Sequence, residues 1–128
     1  MIWGWPTNGK DITITQEGGT ISATFGTAIE SNNYGEGDLA ITTKGTVIGT
    51  TGISARNGSN STGDIIINQT ATGLISATGG NALHFENGGS GGSQVTVAGT
   101  ISGQNVGIYA SHMNTTLHKD THRLLPEK

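Results

Sequence analysis

The sequence predicts an all-β chain, folded as a parallel β-solenoid of about four coils with a short non-solenoid C-terminal tail. Three recurring phrases carry that prediction. Paired aliphatic residues, one residue apart, appear as Ile12/Ile14, Leu39/Ile41, Ile65/Ile67 and Val95/Val97, each preceded by Asp11, Asp38, Asp64 or Gln94. A glycine-led phrase follows as Gly19 to Ala23, Gly45 to Gly49, Gly73 to Ala77 and Gly99 to Gly103, its first glycine recurring at intervals of 26, 28 and 26 residues. The third sets an aliphatic beside a small residue: Ala28-Ile29, Gly52-Ile53, Ala82-Leu83 and Gly107-Ile108. No unit of this length can bury its own apolar side chains, so neighbouring units must cover them.

Each element follows from side-chain period. In the first phrase both aliphatics face one side of a strand, which leaves Thr13, Ala40, Ile66 and Thr96 pointing outward. Ile21, Val47, Ile75 and Ile101 face inward in the second strand, and Ile29, Ile53, Leu83 and Ile108 in the third. Stacked coils about 4.8 Å apart turn these into ladders, in a rod on the order of 20 Å tall. Gly18-Gly19, Gly45, Gly73 and Gly99 supply conformational freedom at one corner. The longest turns fall at about 31–37, 57–63 and 87–93, rich in Asn, Ser, Gly and Thr, and read as spacers.

The chain divides into an N-terminal cap over 1–10, solenoid repeats over 11–110 and a tail over 111–128. Trp3 and Trp5 are expected to cover the first coil. After Ala110 glycine disappears and three of the four histidines gather. Leu117, Thr121, Leu124 and Leu125 fall at helical spacing ahead of Pro126. Ser111-His112-Met113 resembles the residue left by a cloning site. The tail is therefore either a short amphipathic helix or an appended peptide.

Composition excludes several function classes. The 128 residues hold 22 glycines, 12% charged residues and a net charge of −3. Between 11 and 110 only Lys44 and Arg56 stand against seven acids (Asp11, Glu17, Glu30, Glu36, Asp38, Asp64 and Glu86). An acidic body without a basic stripe is not expected to bind nucleic acid or anionic membranes. There is no cysteine, which removes disulfides, thiolate metal sites and cysteine nucleophiles. No apolar run reaches membrane-spanning length, so no membrane insertion is expected. Met1-Ile2-Trp3 lacks the features of a signal peptide, so an exported protein would be represented here by an excised piece.

No catalytic, cofactor or metal site is expected. His118 and His122 have the spacing of helical metal ligands, but no glutamate accompanies them. His84 is read as a surface residue beside Phe85. The 87–93 stretch lacks the aspartate of calcium-binding glycine-rich repeats. Asp11, Asp38 and Asp64 recur once per coil and are read as caps on turn amides rather than as a cation site. No outward carboxylate pair with a basic partner nearby is expected, and only Thr13/Thr15 gives the Thr-x-Thr of an ice-binding array.

Asp11-Ile12-Thr13-Ile14-Thr15, Gly19-Thr20-Ile21-Ser22-Ala23 and Gly52-Ile53-Ser54-Ala55 resemble the passenger repeats of Gram-negative autotransporters. Two-partner-secretion haemagglutinins share such repeats. The resemblance covers about 11–110 and implies a right-handed parallel β-helix of the pectin-lyase-like type, secreted to the bacterial outer surface. It carries over no catalytic residue. The expected function is a non-enzymatic structural or adhesive stalk that meets host or bacterial surface molecules, or sister copies through the solenoid ends. A non-catalytic piece of a β-helical polysaccharide-processing or tailspike protein is the alternative, as is an engineered carrier for the tail peptide.

Overall fold

The computed structural model describes residues 11–111, 115–119 and 123–126. Its coils each contribute three strands. Coil 1 holds β1 (Ile12–Gln16), β2 (Thr20–Ser22) and β3 (Thr27–Asn33), and coil 2 holds β4 (Leu39–Thr43), β5 (Thr46–Gly49) and β6 (Thr51–Asn57). Coil 3 holds β7 (Ile65–Gln69), β8 (Leu74–Ala77) and β9 (Leu83–Asn87), and coil 4 holds β10 (Ser93–Val97), β11 (Thr100–Gly103) and β12 (Ile108–Ser111). Every third strand pairs in parallel, giving the sheets β1-β4-β7-β10, β2-β5-β8-β11 and β3-β6-β9-β12. The chain is a β-solenoid, as its repeats imply.

The core is a set of ladders. Ile14, Ile41 and Ile67 stack in the first sheet, and Val47, Ile75 and Ile101 in the second. Ile29, Ile53 and Leu83 stack in the third and are wholly buried. Two residues further along lies Ser31–Ala55–Phe85–Ala110. Phe85, fully buried, has a small neighbour on either side, so the column alternates large and small as a dense interior requires.

The register corrects the sequence alignment in coil 4. Ser93, not Val95, pairs with Ile65; Val95 pairs with Ile67, and Val97 with Gln69. Gln94 rather than Thr96 therefore continues the outward series Thr13–Ala40–Ile66. The turn after β9 is two residues shorter than the turn after β6, and the strand begins correspondingly earlier. A two-residue shift keeps every side chain on its original face, so the apolar pattern cannot reveal it. Its mark is Ser93, whose buried hydroxyl has no hydrogen-bond partner.

Two further expectations are corrected. A positive φ occurs at Gly19 (74°) but not at Gly45, Gly73 or Gly99. Those three are glycine because of close approach: a Cβ at Gly45 would strike the Gly19 carbonyl oxygen, and one at Gly99 that of Gly73. The amphipathic helix expected over 117–125 is absent from the described residues. Instead β13 (Thr115–Lys119) pairs in parallel with β10, and β14 (Arg123–Pro126) with β11. Leucines at that spacing also fall on two separate short strands, Leu117 on β13 and Leu124 and Leu125 on β14, so the described tail extends the solenoid. The Trp3 and Trp5 cap lies outside the described residues.

Candidate binding face

Polar side chains divide into an inner set that builds the coils and an outer set that is free to meet other molecules. The inner set accounts for most of the recurrent polar residues. Asn33, Asn57 and Asn87 form a buried ladder at the ends of β3, β6 and β9. Asn33 Nδ2 donates to the Gly37 carbonyl (2.7 Å) and to Asn57 Oδ1 (3.1 Å). Asn57 Nδ2 donates to the Gly63 carbonyl (2.9 Å) and Asn87 Nδ2 to that of Gly92 (2.8 Å). Each amide thus closes its own long turn. These turns begin after the asparagines, so Ser31 and Asn33 belong to β3 and not to a spacer loop.

Gln16 and Gln69 act at the corner that follows the first sheet. Gln16 Nε2 donates to the Gly19 and Thr46 carbonyls, and its Oε1 accepts the Gly45 N–H. Gln69 Nε2 donates to the Thr100 carbonyl, and its Oε1 accepts the Gly99 N–H. The glutamines stand in coils with longer corners, Glu17 to Gly19 and Thr70 to Gly73, and reach across to two-residue corners in the next coil. The aspartates also act between coils. The carboxylate of Asp11 accepts the N–H of Asp38, Asp38 that of Asp64, and Asp64 that of Gly92, each at 2.8 Å. They do cap amides, but the amide belongs to the coil above, and Gly92 rather than Gln94 ends the series.

The outer set is unevenly distributed. In coils 1–4 the outward strand positions of the first two sheets carry Thr, Ser, Ala, Ile, Leu, Asn and Gln, and no charge. The third sheet differs. Glu30, Ser54, His84 and Tyr109 form one outward column, and Asn32, Arg56, Glu86 and Ser111 the column beside it. Arg56 Nε donates to Glu86 Oε1 at 2.7 Å, and Asn32 Nδ2 to Glu30 Oε1 at 3.4 Å. The His84 and Tyr109 rings meet edge to face, with centroids 5.0 Å apart.

The members of this cluster lie 24–30 residues apart in sequence and converge only through stacking. It sets one outward carboxylate, Glu86, against a basic partner, Arg56, while Glu30 is partnered by Asn32. Stability does not account for it: an exposed pair such as Arg56–Glu86 contributes on the order of 0.2–1 kcal/mol. As a catalytic carboxylate pair it is poorly arranged. Glu30 and Glu86 lie two coils apart in different columns, which separates their backbones by about 12 Å. Each carboxylate also has its own partner, Asn32 or Arg56.

Among the described residues no three His, Asp or Glu side chains converge as metal ligands. His118 lies in strand β13 rather than a helix, and His122 lies outside the described residues. No protein-family model, curated protein or solved structure matches the chain.

Proposed function

We propose that the chain is a non-enzymatic structural and adhesive module of a secreted bacterial surface protein, of the autotransporter-passenger kind. The solenoid supplies a stiff stalk, and the outer face of β3, β6, β9 and β12 is the part that meets host or bacterial surface molecules. The observation that carries this reading is the division of labour among polar residues. The buried asparagines are occupied in closing turns, and Gln16, Gln69 and the aspartates in joining coils. The outward charged and aromatic side chains of the third sheet stand exposed or half-exposed, and their contacts with one another, Arg56–Glu86 and His84–Tyr109, lie at the surface. Such an arrangement supports a surface that holds a partner, since among the described residues of this face the two carboxylates, Glu30 and Glu86, are not paired with each other.

Beads coated with the folded chain should adhere to epithelial monolayers or to sister bacteria in excess of beads coated with the heat-unfolded chain. Equal retention of the two would refute the adhesive reading. Turnover of a bacterial polysaccharide by the purified chain would replace it with an enzymatic one.

A further inference from the structure

We infer that the outer face of the third sheet recognises an uncharged glycan strand. This rests on the adhesive reading of the same face and names its ligand. The eight outward positions form a grid of two columns and four rungs, about 14 Å long and roughly 7 Å between columns. Six of the eight residues (Glu30, Asn32, Arg56, His84, Glu86 and Tyr109) carry planar polar or aromatic groups. Sugar hydroxyls are each a donor and an acceptor. A carboxylate beside a guanidinium satisfies both roles for neighbouring hydroxyls, as does an amide beside a carboxylate. The structure places Arg56 on Glu86 and Asn32 on Glu30 in those two combinations. Tyr109, whose ring stands nearly perpendicular to that of His84 and which is 46% exposed, offers an apolar aromatic surface against which the C–H side of a sugar packs.

Charge and polarity select against other occupants. The face carries Glu30 and Glu86 against Arg56, so phosphates and uronates meet net repulsion. A protein partner would look for an apolar centre to its interface, and on this grid Tyr109 is the one large exposed hydrophobic side chain among the described residues. An uncharged, hydroxyl-rich chain meets neither obstacle.

The test is an NMR titration of the full chain with neutral hexasaccharides (β-glucan, α-glucan, mannan and galactan) and with hexagalacturonate as the anionic probe. A neutral probe should shift amide resonances of β3, β6, β9 and β12 with affinity on the order of millimolar. Arg56→Ala and Tyr109→Ala should weaken that binding by about tenfold or more, while Thr42→Ala, on the first sheet, leaves it unchanged. Both variants replace exposed side chains, and unchanged resonances in β4 and β7 will report the intact fold. Silence with every neutral probe, stronger binding of hexagalacturonate, or shifts confined to another sheet would overturn the inference. Periodate oxidation of the monolayers separates it from the adhesive reading. Retention that survives oxidation refutes the glycan and leaves adhesion standing. Failure to adhere to untreated cells removes adhesion, and the titration still decides the glycan.

Discussion

The carboxylate of Asp38 accepts the backbone N–H of Asp64, one coil above, at 2.8 Å. Asp38 in turn donates its own N–H to Asp11. Asp38 and Asp64 are thus each acceptor for the next coil and donor to the previous one, in a position where stacked carboxylates would otherwise only repel. The amide dipoles interleaved between them offset that repulsion, so the ladder fixes the register of the first sheet at its entry.

Asp38→Ala should therefore destabilise the chain by about 1 kcal/mol, the net worth of a half-exposed charge-assisted hydrogen bond. Asp38→Asn keeps an acceptor oxygen in place and should recover much of the loss. Urea denaturation of the three proteins checks this; equal midpoints would show that the link contributes nothing.

Asn57 stands in the middle of a buried ladder and is 1% exposed. Asn57→Ala strands the Gly63 carbonyl and one Asn33 donor contact, for an expected cost of about 3 kcal/mol. Asn57→Asp should be worse, because a carboxylate would face the Gly63 carbonyl without a proton to donate. Thermal unfolding that ranks Asp above Ala in stability would contradict the ladder.

Thr43 gives the opposite sign. It lies between Gln16 and Gln69, wholly buried, with no hydrogen-bond partner for its hydroxyl. Thr43→Val keeps the shape and removes the stranded group, and should stabilise the fold by about 1 kcal/mol. A lower melting temperature would mean that the hydroxyl is satisfied.

These positions also show what a sequence without structure conveys. The aliphatic ladders are legible because Ile14, Ile41 and Ile67 repeat one residue type at intervals of 27 and 26 residues. The slip at Ser93 is not, since a shift of two preserves which face each residue takes. Asn33, Asn57 and Asn87 were visible as turn residues, but their inward placement depends on where each strand ends. The Arg56–Glu86 pair and the His84–Tyr109 contact were hidden because stacking, not sequence proximity, creates them.

Ile67 and Thr96 separate the inner from the outer surface. Ile67 is 1% exposed in a middle coil, so Ile67→Asp should unfold the chain, a buried unpaired carboxylate costing several kcal/mol. Thr96 stacks outward on Asn68. Thr96→Asp should leave the circular dichroism spectrum and melting temperature close to those of the parent. Equal loss in both would place Thr96 in the core.

The ends provide the last prediction. β13 pairs with β10 over five residues and β14 with β11 over four, so the described tail covers two of the three strands that would otherwise close coil 4 as bare edges. A parallel edge presents unpaired N–H and C=O groups to any strand that can reach it, and repeat proteins deprived of their terminal units associate. Deleting 112–128 uncovers both edges beside Val95, Val97 and Ile101, which are at most 1% exposed in the intact chain. The shortened chain should melt at a lower temperature and sediment as larger species at concentrations where the full chain does not. If both sediment alike and melt together, β13 and β14 contribute nothing to the solenoid end, and the tail is an appendage rather than its continuation.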